Sequence, residues 1–526
     1  MTAATRRAFG VLLASVVVVV GAQLGRQLGH GRRGDAELGV AHADGETIVA
    51  ASLLQADVQK AVDAAGDGCT VKLPAGTVTW SSGVTVSDKF ISIVGAGIDK
   101  TTIVGGDYPP SRGMPTQRIF TITAKAGGLT RLAEMTLDGG VGAKDDYNKG
   151  MVALGGASST WRIDHLRIRA TRTCAMHVYA SGGVVDHCRF ELVGWIFGIY
   201  GFNGGGGYGD TAWSEDAGIG GPDKPFFIED NMFAATERSV ALDGWAGERV
   251  VFRHNALDNC SIGNHGTETS GRLRGARSFE IYDNTFRFTG ATHYCAVGLR
   301  SGTGVIFANR ASGDVSELLR VDNYRDFGSF RPWGAASGEN PFDKNDVGED
   351  GKPVVYETGT HTGPDGARTL SVAGRNWEPD QWRGYSLSNT ATGKSSVILS
   401  NTRDEIVTRY DDTHGGPNLT WRTGDPYRIQ RCLIALDQFG RGKGRLITGD
   451  DPTPVAWPDQ AAEPAYVWDN TLNGRVRGLV SGSPRLTEGV DFYNGVPEPG
   501  YAPYTYPHPL ASGGPAEGGT GPAPAP

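Results

Sequence analysis

The chain has 526 residues, a formal charge of −8 at pH 7, 78 glycines, 27 prolines and six cysteines. An acidic surface is a poor match for a phosphate backbone, which excludes nucleic acid as a partner, and six cysteines over this length exclude a disulfide scaffold. The glycine and proline content has no Gly-X-Y period, which excludes collagen and points to many tight turns; the length allows a large core and more than one domain.

Residues 1–43 read as an export signal and leader: Arg6 and Arg7 precede an apolar stretch, Phe9 to Ala22, that is short for a membrane span. TRRAF also resembles a twin-arginine signal. Secretion, or placement at the cell surface or in the periplasm, is therefore expected, with a membrane partner only if this segment is retained. The segment carries five arginines against Asp35 and Glu37, so the rest of the chain is more acidic still.

Residues 52–65 put Leu54, Val58, Ala61, Val62 and Ala65 on one helical stripe, with Ser52 available as a cap. Alternating segments, TVKLPAGTVTW and VTVSDKFISIVGAG, follow as strands broken by Pro-Ala-Gly and Ser-Asp turns. One amphipathic helix ahead of many strands suits a cap over the open end of a solenoid, where interior and strand edge would otherwise be exposed.

A six-residue pattern then recurs: IDHLRI (163–168), VDHCRF (185–190), IEDNMF (228–233), FRHNAL (252–257), IYDNTF (281–286), IFANRA (306–311) and VWDNTL (467–472). Its fourth position is Leu166, Cys188, Asn231, Asn255, Asn284, Asn309 and Asn470. Most intervals fit a solenoid coil, and stacked Asn side chains can hydrogen-bond from coil to coil, so these residues are expected to be scaffold. The long step from Cys188 to Asn231 predicts two coils, one degenerate. The longer step from Asn309 to Asn470 predicts an insertion.

The helix, the KLPAGT turn, the SIVGAGIDKTTI stretch and the repeated DN-x-F turns resemble secreted right-handed parallel β-helix proteins of the pectate-lyase-like superfamily. The resemblance covers residues 52–315 and 430–510. It implies an all-β fold: a right-handed parallel β-helix with an N-terminal capping helix and a small inserted all-β module. The insertion is placed at 340–430, where strands alternate strongly from 353 onward. Trp377, Trp382 and Trp421 read as its core, with a sugar-stacking platform as the alternative. Asp343, Asn345, Asp346 and Asp350 read as a solvated loop. Residues 431–510 hold the last coil and an extended aromatic strap (YAPYTYPHPL), and 511–526 a disordered Gly/Pro/Ala tail.

A long parallel β-helix offers equivalent positions at each strand spacing, suited to an extended polymer. The densest cluster is NHGTETSGRLRGARSFEIYDN. His265, Glu268, Arg272 and Arg274, with Asp243 from the preceding coil, are the candidate catalytic residues. Counting back from each ladder turn puts Asp243, Arg272 and Arg274 on one side of their strands and His177 and Arg300 on the other. His177, Tyr208, Trp213, Trp245 and Arg300 are the candidate substrate contacts. The long loop 201–225 supplies Tyr208 and Trp213, and its Asp210, Glu215 and Asp216 are the only candidate calcium ligands, with no cofactor otherwise implied. Asp186-His187 resembles a W-I-D-H stretch of pectate lyases, yet IDHLRI repeats it one coil earlier, which favours a turn device.

The resulting expectation is a monomeric exported protein acting on an extended, uronate-containing polysaccharide. In a lyase, Arg272 or Arg274 would neutralise the uronate and a base (His265, His177 or a second Arg) would take the adjacent proton. The alternatives are a hydrolase using Asp243 with Glu268, and a non-catalytic glycan-binding surface or matrix protein.

Overall fold

The computed structural model describes residues 45–106, 118–140, 150–171, 173–202, 225–266, 275–326, 335–339, 343–410, 418–435, 437–443 and 461–512. The leader, most of loop 201–225 and the tail from 513 lie outside the described residues.

Helix α1, Gln55–Ala64, buries Val58, Ala61 and Val62. Leu54 is not on the buried stripe: it sits at the helix start and is 61% exposed, while Leu53 packs inward. Ser52 Oγ accepts from the Leu54 N–H and donates to Asp57, so it closes the turn ahead of the helix. At the other end Lys89 Nζ donates to the carbonyls of Val62, Asp63 and Ala65, satisfying the helix terminus with a cation.

The strands behind it wind into a right-handed parallel β-helix of three faces. The second face shows why the chain coils. Ile163, Val185, Ile228, Phe252, Ile281 and Ile306 lie in exact register on successive coils and point into the core. Each removes a large apolar side chain from water, worth about 1.5–3 kcal/mol. The residues between them point outward.

Leaving this face, the chain turns through a left-handed residue into the ladder position. Asn231, Asn255, Asn284, Asn309 and Asn470 are buried there. Asn284 Nδ2 donates to Phe252 O, Tyr282 O and Asn309 Oδ1, and its own Oδ1 accepts from the N–H and Nδ2 of Asn255. The same set repeats on neighbouring coils, so the scaffold reading of these residues describes what they do.

The step from Cys188 to Asn231 is a single coil, contrary to the two expected. Cys188 N–H donates directly to Asn231 Oδ1 at 2.9 Å, and Arg189–Leu192 pair in register with Met232–Ala235. The additional residues follow Phe202 in the sequence and lie outside the described residues. Across the longest step, Val305–Phe307 pair with Tyr466–Trp468, and Asn309 N–H donates to Asn470 Oδ1.

The intervening chain forms a six-stranded antiparallel sheet between Glu357 and Gln430. Trp377, Trp382 and Trp421 are buried in its own core with Leu387, Ile398 and Ile406. They fill the module and offer no sugar platform. Asp343 is no solvated loop residue: it is fully buried and ion-paired to Arg325 at 2.5 Å. Arg485, from the β-helix side, donates to Gly384 O and Ser386 Oγ of the module.

Residues 501–510 form a strap, but it leaves the last coil at Tyr501, beside Trp468, and runs back across earlier coils of the second face, where it was expected to stay on the last coil. Arg253 donates to Tyr504 O and Thr505 O, Tyr501 Oη donates to Glu280, and the His508 N–H donates to Glu229.

Candidate functional site

The first face is built from Met176–Val178, Phe197–Phe202, the end of Met232–Trp245, Ala256–Asn264, Thr285–Leu299 and Arg310–Val321. Register places His177 beside Tyr200, Tyr200 beside Asp243, Asp243 beside Gly263, Gly263 beside Gly298, and Gly298 beside Arg320. Their neighbours Ile199, Leu242 and Ile262 are core, so this row points outward. Two residues further on lie Tyr179, Phe202, Trp245, His265 and Arg300.

His177 and Asp243 therefore share a row, against the parity expected of them. The reason is one residue in the turn. His177 precedes Val184 by seven positions and Asp243 precedes Val251 by eight, although Val184, Phe227 and Val251 are in register. The turn after Trp245 takes up the additional residue with Ala246 and Gly247, both at positive φ (51° and 82°).

Asp243 Oδ2 and His265 Nε2 share a hydrogen bond of 2.6 Å between adjacent coils. Asp243 is 3% exposed and its other oxygen, Oδ1, is buried without a hydrogen-bond partner. A Cβ on Gly263 would lie 3.5 Å from that oxygen, so Gly263 leaves a narrow gap beside it, whereas on the next coil Cys295 Sγ lies 2.8 Å from where a Cβ of Gly298 would be and covers that glycine. On the coil beyond Gly298, Arg320 is held by Glu317 and Asp322 and lies over Tyr294. Arg300 donates through Nε to Asn264 O at 2.7 Å and covers the Tyr324 ring at 4.4 Å.

On the other side of Asp243 is an aromatic block. Tyr179 stacks on Phe202 (5.0 Å, 6°), and Trp245 packs against Phe202 and Tyr200. His177 is no surface contact: it is 1% exposed beneath this block, its Nδ1 is 2.6 Å from Tyr179 Oη, and burial pulls it down to about 3, which keeps the ring neutral. Tyr179 and Trp195, each 41% exposed, present the outer surface in its place. Burial, and then the charge of Asp243, push the Tyr200 phenol well up.

Glu248 was not singled out from the sequence. Its carboxyl lies under the inward side of the same strands: a Cβ on Gly244 would fall 1.5 Å from Glu248 Oε2, and one on Gly201 2.1 Å from Oε1. No other residue type fits at either glycine without displacing it. Burial, with Asp243 as the second cause, raises Glu248 well above the usual carboxylate range. It lies inside the solenoid and does not face the groove.

Of the expected catalytic residues the structure brings Asp243 and His265 together, and it places Trp245 and Arg300 beside them. Glu268, Arg272, Arg274, Tyr208, Trp213, Asp210, Glu215 and Asp216 lie outside the described residues. Among the described residues no three His, Cys, Asp or Glu side chains converge as a metal site. Asp186 serves the turn, as its repetition suggested: Arg162 grips it with bonds of 2.8 and 2.7 Å. Tyr179, Trp195, Tyr200 and Phe202 were missed as well. The spacing of Tyr200 and Phe202 by two in a strand was the available signal.

The chain matches no family model and no curated protein. Among solved structures it is similar to the catalytic domain of a GH87 α-1,3-glucanase in complex with nigerose, at 14% identity over 53% of this chain and 58% of that one (TM-score 0.31). It is also similar to the Yersinia enterocolitica family 28 exopolygalacturonase, at 12% identity over 53% and 72% (TM-score 0.30). A third is the A-module of the Azotobacter vinelandii mannuronan C-5 epimerase, at 16% identity over 51% and 86% (TM-score 0.21). The likeness concerns fold only. The match spans less than two thirds of the glucanase domain, and the parallel β-helix of this chain rests on its own strand pairing.

Proposed function

We propose that this protein is an exported carbohydrate-active enzyme that binds an extended, uronate-containing polysaccharide along the first face and cleaves it by β-elimination. The observation that carries the reading is the 2.6 Å Asp243–His265 bond beside the gap left by Gly263, between an aromatic block and Arg300. Sugar rings would stack on Tyr179, Trp195 and Trp245 and lay one uronate over Gly263. Arg300 would meet its carboxylate, and that charge pairing makes the adjacent C5–H more acidic.

His265, oriented through Nε2 by Asp243, takes the C5 proton on its other nitrogen. Asp243 stabilises the imidazolium. The electron pair of the broken C5–H bond forms the C4–C5 double bond as the C4–O bond breaks, and the imidazolium returns its proton to the departing oxygen. Hydrolysis needs two carboxyl groups facing each other across the groove; among the described residues Glu248, the carboxyl near Asp243, points into the core, and Glu268 lies outside them.

The test is a screen of pectate, alginate, glycosaminoglycans and neutral glycans, with and without calcium, reading ultraviolet-absorbing unsaturated ends beside total reducing ends. Absorbing product that disappears in His265→Ala supports the reading. Reducing ends without absorbance would establish hydrolysis, and glycan binding with neither signal a non-catalytic role.

A further inference from the structure

The stretch SIVGAGIDKTTI does more than carry the chain from the second face to the third. Ser92–Val94 lies on the one and Thr101–Gly105 on the other. The turn between them, residues 95–100, is fastened to the next coil. Gly95 and Gly97 donate their N–H groups to the carbonyls of Ala133 and Glu134, and Thr136 Oγ1 donates to Ile98 O. The Lys100 and Thr101 N–H groups fold back onto Gly97 O. Asp99 is therefore carried on a fixed turn, and it lines a cavity of about 210 Å³ on the third face.

The floor of this cavity follows from register. Thr102 pairs with Thr136 and Thr136 with Arg167, and two residues further on Asp138 pairs with Arg169. Ile103, Leu137 and Ile168 alternate with them and are core, so the lining side chains point outward. Successive coils space them by about 4.8 Å.

Their hydrogen-bonding capacity is only partly used. Glu191 grips Arg167 through Nε and Nη2, at 3.0 and 3.1 Å, which leaves Nη1. Asp138 Oδ1 accepts from the Gly140 N–H at 2.8 Å and from Arg169 Nη1 at 3.4 Å, which leaves Oδ2. Among the described residues neither the Asp99 carboxylate nor the Thr102 hydroxyl meets a hydrogen-bond partner. The lining thus sets carboxylates, which only accept, beside guanidiniums, which only donate. Two of each cancel in charge. A phosphate or uronate would be repelled by Asp99 and Asp138, and a metal ion or amino sugar by Arg167 and Arg169.

We propose that this cavity binds one uncharged pyranose unit of a glycan, separately from the groove on the first face. Its volume is below the ~300–1,000 Å³ of pockets that enclose drug-sized ligands and suits a single ring. Each sugar hydroxyl both donates and accepts. Neighbouring hydroxyls therefore bridge the two kinds of charge, donating to Asp99 or Asp138 Oδ2 and accepting from Arg167 Nη1 or Arg169. Such a site holds the protein on its glycan without chemistry, and it does not depend on what the first face cleaves.

The experiment is saturation-transfer NMR on the purified full chain. The probes are the methyl glycosides of glucose, galactose and mannose, with glucuronate and glucosamine as charged counterparts. At least one neutral glycoside is expected to bind, with a Kd of about 1 mM for so small a ligand. Asp99→Ala should weaken it about tenfold and Thr102→Val about threefold. Neither side chain holds the fold by a hydrogen bond, and unchanged melting of both variants establishes that they are folded. Trp245→Ala, on the first face, leaves this binding as it is. Failure of every neutral glycoside to bind, tighter binding of glucuronate or glucosamine, or equal binding by the parent and Asp99→Ala overturns the proposal. So does binding that Trp245→Ala abolishes.

Discussion

Asp243 and His265 stand on neighbouring coils, joined by a 2.6 Å bond from the imidazole Nε2 to a carboxylate that is itself 97% out of solvent contact, since Asp243 is 3% exposed. Twenty-two residues separate them along the chain, and the solenoid closes that distance by one strand spacing. Under the proposed reaction the two act as one unit. His265→Ala is expected to lower kcat by about a hundredfold or more, and Asp243→Asn to do nearly the same by releasing the ring. Trp245→Ala should chiefly raise KM, because it removes stacking surface. The split between kcat and KM on the best polysaccharide from the screen checks both; an equal rise in KM for all three would deny the pair a role in chemistry.

The Asn ladder is expected to be the most sensitive part of the scaffold. Asn284→Ala leaves two carbonyls, and the Asn255 donors, without their buried partners. A loss of about 2–4 kcal/mol is expected in denaturant unfolding, where each orphaned buried group contributes. Asn284→Leu should fare no better. Leu166 holds this position on an early coil, so the volume is tolerated, but that coil does not depend on the hydrogen bonds the substitution removes.

The ladder was legible because a turn that repeats must repeat its chemistry, and Asn231, Asn255, Asn284, Asn309 and Asn470 recur with flanking apolar residues. The groove was less legible. Side-chain direction on the first face depends on the length of each turn, and the one residue added at Ala246–Gly247 reverses the parity of Asp243 relative to His177. A count from the ladder cannot see it. The same sequence stretch hid Glu248, whose place is made by two glycines on other strands, Gly201 and Gly244. Asp343 misled for a similar reason: its neighbours are polar, but Arg325 and the module boundary bury it.

Glu248 gives the fold a pH dependence of known sign. Burial, and then Asp243, raise its folded-state pKa, so the folded protein holds a proton that the unfolded chain releases near the ordinary carboxylate value. Its contribution is complete below that value and is lost as pH rises toward the raised one. Glu248→Gln keeps the shape and removes the titration. Melting midpoints from pH 5 to 9 should therefore fall with pH more steeply in the parent than in the variant, with the variant the more stable at the alkaline end. Parallel curves would mean that Glu248 is already ionised in the folded state.

The strap carries a second, local titration. Tyr501 donates to Glu280 Oε2 at 2.6 Å, and burial raises Glu280 to about 7 against the opposing bond from Tyr501 and the charge of Arg253. When the strap lifts, Glu280 regains water and an ordinary value near ~4.3. The docked state then binds the proton more tightly, so docking is strongest below the ordinary value and weakens as pH climbs through 7. Linkage over that interval predicts that the opening equilibrium rises about tenfold between pH 6 and pH 8. Hydrogen exchange of the strap amides, corrected for the intrinsic change in rate, measures it, and Glu280→Gln should abolish the difference. Arg253 also holds the strap through Tyr504 O and Thr505 O, so Arg253→Met should raise strap exchange at both pH values. A strap whose protection is flat across this range in the parent would show that Glu280 does not titrate beneath it.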